Sequence, residues 1–92
     1  MLTIEYPGTF KKDFKRAMKR GCHPEKLATV VKLLQAEKVL PPKYKDHPLE
    51  ASRRYKGVRE CHIEPDWLLI YQIQEERLVL KLLRTGTHSD LF

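Results

Sequence analysis

Residues Tyr55–Phe92 read YKGVRECHIEPDWLLIYQIQEERLVLKLLRTGTHSDLF, and this stretch decides the fold. Glu64-Pro65-Asp66-Trp67 has turn chemistry: proline fixes φ at the second position and aspartate can bond its own backbone. A second polar turn, Gln74-Glu75-Glu76-Arg77, lies between Trp67–Ile73 and Leu78–Leu83, both rich in branched aliphatics. Successive antiparallel strands are therefore expected. The polar side chains with chemical potential fall around them: Arg59 and His62 before the first turn, Asp66 and Trp67 in it, and Arg84, His88 and Phe92 beyond the last strand. A sheet surface would gather them.

Upstream, Leu2-Thr3-Ile4-Glu5-Tyr6 alternates apolar and polar with the period of a half-buried strand, which Pro7-Gly8 stops. Thr9 is the expected N-cap of a helix carrying Phe10, Phe14, Ala17 and Met18 on one face. Lys11, Lys12, Lys15, Arg16, Lys19 and Arg20 take the other face, and Gly21 ends it. A second helix begins near Pro24, with Leu27, Val30, Val31 and Leu34 as its stripe, and ends before Pro41-Pro42. Pro41 to Tyr55 reads as a polar loop containing His47, and Thr85 or Thr87 as the cap of a short C-terminal helical turn. The expected architecture is α+β, in the order β-α-α-β-β-β, with an αα-hairpin packed on a mainly antiparallel four-stranded sheet.

Ninety-two residues suit one domain with one core. No apolar run is long enough to span a bilayer and no signal-peptide core is present, so the chain reads as cytoplasmic, without membrane association. Its two cysteines, Cys22 and Cys61, lack the spacing of a disulfide framework or a four-cysteine zinc site. A net charge of +6 favours an anionic partner, with nucleic acid first, although solvated lysines alone give the same count.

His47, His62 and His88 in a basic chain suit RNA cleavage by the ribose 2′-OH. That reaction needs a general base on the hydroxyl, a general acid on the departing 5′-oxygen, and cations for the charge on the phosphorus oxygens. Imidazole ordinarily titrates near neutral pH and guanidinium is always charged, so histidine and arginine fit these tasks without metal or cofactor. Trp67 and Phe92 offer rings on which a base can stack. Each residue also has a plainer use. His47 can make a local loop bond, His62 can be a core histidine, Asp66 a turn former and Trp67 a hairpin anchor, while Arg84 and His88 can be solvated surface residues four apart on a helical turn. A zinc site from His47, His62, Asp66 and His88 is the weaker alternative, because no diagnostic metal spacing is present.

Three motifs, Tyr44-Lys45-Asp46-His47-Pro48-Leu49, Arg59 through Tyr71, and Arg84-Thr85-Gly86-Thr87-His88-Ser89-Asp90-Leu91-Phe92, resemble the YafQ branch of the RelE superfamily of bacterial toxins. The resemblance covers essentially the whole chain. It implies an endoribonuclease that cuts messenger RNA on the ribosome, held inactive by a cognate antitoxin, with operator DNA bound only through the antitoxin complex. It places His47, His62, Asp66 and His88 in the active site with Phe92 as its C-terminal aromatic, and makes His88 the general acid. Chemistry rather than the motif adds Arg84 and Arg59 as phosphate-stabilising cations, with Lys45 in the substrate-binding set. Relatives of this fold that poison DNA gyrase, and a non-enzymatic nucleic-acid-binding module, are the rival readings. In Glu50-Ala51-Ser52-Arg53-Arg54-Tyr55 the chain departs from the family by about two extra residues and by lacking its customary glycine and tryptophan, a change expected to bear on codon preference.

Overall fold

The computed structural model describes residues 1–49 and 57–92; the departure expected at 50–55 lies outside them. The elements are β1 (Thr3–Glu5), α1 (Gly8–Lys19), α2 (Pro24–Gln35), β2 (His47–Pro48), β3 (Val58–Glu64), β4 (Trp67–Gln74), β5 (Val79–Gly86) and α3 (His88–Leu91). They build a five-stranded sheet in the order β1-β5-β4-β3-β2. Its centre is the antiparallel meander β3-β4-β5, and β1 adds in parallel beside β5. The α+β class and the meander are as expected. The strand count is one higher, because Asp46-His47-Pro48 does not stay in a loop: His47 and Pro48 pair with Glu60 and Arg59. A strand of two residues has no periodicity to read.

Both long helices end in the same way. After α1 the Cys22 amide donates to Ala17 O and the Gly21 amide to Met18 O, with Gly21 at φ +87°. After α2 the Lys38 amide reaches Leu33 O and the Glu37 amide Leu34 O, with Glu37 at φ +56°. The start of α1 differs from expectation: the helix begins at Gly8, and Pro7, not Thr9, is the flanking residue, with no side-chain cap. Thr87 does cap α3, accepting from the Asp90 amide while the Asp90 carboxylate accepts from the Thr87 amide.

The helices bury Phe10, Ala17, Leu27, Val30, Val31 and Leu34 against Cys61, Ile63, Trp67, Leu69, Tyr71, Leu80 and Leu82 of the sheet, and Leu2 closes the cluster. Because strand side chains alternate, Glu60 and His62 on β3 project to the opposite face from Cys61 and Ile63. The helices cover one face, and the histidine of β3 stands on the other. No helix among the described residues is long and apolar enough to cross a membrane.

Candidate active site

The site is assembled from four short segments. β2 brings His47 beside β3, whose register sets it opposite Glu60. Glu60 is buried and lies two residues from His62 on the same face, so both rings come to one carboxylate: His47 Nε2 is 3.6 Å and His62 Nε2 3.5 Å from Glu60 Oε1. The far nitrogens are tied to backbone. His47 Nδ1 donates to Pro48 O at 3.1 Å and His62 Nδ1 to Pro65 O at 3.3 Å. A carbonyl can only accept, so in both rings Nδ1 carries a proton and Nε2 is the nitrogen turned toward Glu60.

The opposite wall comes from α3. The His88 ring centroid is 5.8 Å from that of His62 and 6.3 Å from that of Phe92. Asp66, in the β3–β4 turn, has Oδ1 at 3.5 Å from His88 Nδ1 and 3.4 Å from the His88 amide, so it orients both ring and helix start. Phe92 is exposed, lining with Arg84, Leu49, Val58, Ile70 and Leu83 a cavity of about 420 Å³. Thus His47, His62, Asp66, His88 and Phe92 come together.

Four other candidates have different surroundings. Trp67 is a core residue, 3% exposed, and its indole N–H donates to Thr85 Oγ1 at 2.9 Å, so it has no face for a base and the expected stacking role is corrected. Arg59 alternates to the face away from Glu60 and His62, where its Nε and Nη2 donate to Asp46, with Nη2 at 3.1 Å. That ion pair raises the Arg59 pKa further, and Asp46 also accepts from the Tyr71 hydroxyl, whose pKa burial pushes well above its ordinary value. The placement makes Arg59 the holder of the segment leading into His47, not a phosphate ligand facing the histidines.

Arg84 does not share a helical turn with His88. It lies on β5, its Nε donating to Asp13 Oδ2 at 2.6 Å and its Nη2 to Asp13 Oδ1 at 3.1 Å, and that pair raises its pKa. Lys45 is exposed on the turn that precedes His47. Glu60 and Asp13 went unread as site residues. Glu60 could have been found, since the period of two on β3 puts it beside His62.

His47, Glu60 and His62 could also close on one transition-metal ion: their ligand atoms all lie within 4.8 Å of one another, and two imidazoles with a carboxylate are donors that zinc or copper accepts.

The family model described as "Bacterial toxin of type II toxin-antitoxin system, YafQ" matches residues 2–92. The chain belongs to the YafQ family. The mRNA interferase toxin YafQ of Escherichia coli strain K12 is 47% identical over 90 residues, spanning 97% of this chain and 94% of that one. Among solved structures, a metal-bound toxin from Helicobacter pylori superposes with TM-score 0.94 at 49% identity, covering 100% of both chains. YafQ in the E. coli DinJ-YafQ complex gives TM-score 0.88 at 45% identity over 100% of this chain and 99% of that one. The α+β fold of this YafQ-family chain is thus that of solved members.

Proposed function

We propose that the chain is the toxin of a type II toxin-antitoxin pair and an endoribonuclease that cuts messenger RNA by acid-base chemistry. The observation that carries this is the convergence of His47, His62 and His88, from three separate segments, around Glu60 and Asp66. Nε2 of His47 or His62 takes the proton of the ribose 2′-OH, and the imidazolium formed lies beside the Glu60 carboxylate. The 2′-oxygen attacks phosphorus. His88, oriented by Asp66, protonates the departing 5′-oxygen, leaving a 2′,3′-cyclic phosphate and a 5′-hydroxyl end. Arg84 supplies positive charge near the phosphate and Phe92 a ring for a neighbouring base. This route requires no metal ion, and a metal held by His47, Glu60 and His62 would occupy the lone pairs that it uses.

The reaction takes place on the ribosome in the cytoplasm, on the message being translated. A cognate antitoxin binds the toxin, as in the E. coli DinJ-YafQ toxin-antitoxin complex, covering the site or carrying acidic residues into it, and operator DNA is bound only through that complex. Controlled expression beside a His88→Gln variant, with 5′ ends mapped by primer extension, tests this. New in-frame cuts that vanish when translation of the message is blocked, and are absent with a folded His88→Gln, are the expected result. Growth arrest with intact messages would point instead to a target such as gyrase.

A further inference from the structure

β2 pairs only with Arg59 and Glu60, so along Cys61–Glu64 the edge of β3 has no strand beside it among the described residues. A cavity of about 600 Å³ opens there, between that edge, α2 and the 3₁₀ turn Pro42–Tyr44. Its volume is within the range of about 300–1,000 Å³ usual for small-ligand sites. Lys26 and Thr29 of α2, Lys43, Tyr44 and Lys45 of the turn, and His62 are on its wall. His62 also faces Glu60 at 3.5 Å, so the cavity continues the histidine site rather than standing apart from it.

Its charge is suited to an anion. Glu64 is the carboxylate on the wall, and Lys26 holds it at 2.7 Å. Among the described residues no carboxylate pairs with Lys43 or Lys45; Lys43 Nζ lies 5.0 Å from the centroid of the Tyr44 ring. Lys45 has φ +48° and ψ +43°, a left-handed conformation that glycine adopts at lower cost. Lys45 ends the 3₁₀ turn in that conformation, as Glu37 at φ +56° follows α2.

We propose that this cavity seats the nucleotide next to the scissile phosphate of the single-stranded message, with Lys43 and Lys45 on its phosphate oxygens. The assignment rests on the nuclease reading above. The RNA then passes from the Pro42–Lys45 turn over His62 to His88, and its grip on this side is electrostatic and independent of base identity.

The test uses a short RNA with a 2′-O-methyl group at the cut position, which removes the nucleophile and leaves the strand uncut. Binding is followed by anisotropy across a salt series and by amide chemical shifts. Shifts at Thr29, Lys43 to Lys45 and His62 are expected. In a Lys43→Ala/Lys45→Gly double variant affinity falls about tenfold, and the slope of log K on log salt flattens by about 1.4, the value for two single-strand phosphate contacts. Glycine fits the backbone at 45, so Lys45→Gly melts no lower than wild type, and lost affinity is not lost fold. A 4-thiouridine flanking the cut in a ribosome-bound message is expected to crosslink to the Pro42–Lys45 segment; if that segment instead crosslinks to ribosomal RNA, the message is not its ligand. Wild-type affinity and salt slope in the double variant overturn the subsite and leave the nuclease reading intact. A wild-type chain that neither binds the short RNA nor cuts a ribosome-bound message overturns both.

Discussion

Asp13 lies among lysines on a helix whose polar positions read as solvated, yet it is 3% exposed and takes both Nε and Nη2 of Arg84 and the Thr85 amide. Arg84→Ala would leave that carboxylate buried without its cation and is expected to cost about 3 kcal/mol. Asp13→Asn keeps an acceptor for the Thr85 amide and exposes the freed guanidinium to water, so it should cost only about 1–2 kcal/mol. Urea unfolding of both, and of the double variant, checks the order, and the double variant should be more stable than Arg84→Ala alone. The sequence did carry a sign of this: Asp13 is three residues after Phe10 and four before Ala17, on the apolar stripe itself. Its partner, 71 residues away, left no local sign. Glu60 is the counterpart in the site. Glu60→Gln keeps the shape and removes the charge facing two imidazoles, so single-turnover cleavage should fall about 100-fold with little change in melting temperature.

At the scale of elements, α3 has only four residues and depends on its anchors. Asp90 accepts from Arg20 and from the Thr87 amide, which ties the helix carrying His88 to the end of α1. A Cβ on Gly86, at φ +155°, would stand 2.9 Å from Asp90 Oδ2 and 3.1 Å from its Cβ, against a side chain already held. Gly86→Ala is therefore expected to cost about 2 kcal/mol and to lower cleavage by moving His88 and Phe92; thermal melts and cleavage assays report the two effects separately. The Arg20 hydrogen bonds, then those from Thr87, hold the Asp90 carboxyl well below the usual carboxylate range. Its folded pKa lies below the unfolded value of about 3.9, so the stabilisation is whole above that pH and fades as pH falls beneath it. Between pH 4 and pH 2 the urea midpoint of wild type should fall faster than that of Asp90→Asn. The Thr87 cap was legible because Thr-Xaa-Xaa-Asp is a local pattern. β2 was not, since its strand partners are in β3, and the first helix starts one residue before Thr9, flanked by Pro7, whose ring fixes φ and whose ψ of 171° is extended.

Over the whole molecule, the chain closes on itself: β1 pairs in parallel with β5, placing Thr3 opposite Val79 and burying Leu2 to 1% exposure. Periodicity located the strands of the meander and the faces of both long helices, but strand neighbours far apart in sequence were not visible in it. Cys61, in the middle of the sheet, is fully buried, and burial first, then Asp46 and Glu60, pushes its thiol up to about 12. Its reaction with a thiol reagent should wait for global opening and slow with added stability, while the partly exposed Cys22 reacts in the native state; timed labelling followed by mass spectrometry separates the two. β1 reaches only Val79 to Lys81, so among the described residues the second half of β5 has α1 and no strand on that side, and Asp13 takes the amide that a further strand would have bonded. The first helix thus guards a sheet edge. Lifted from it, the molecule presents a free template for strand addition, and variants that loosen this helix should be lost to self-association before they are lost to unfolding.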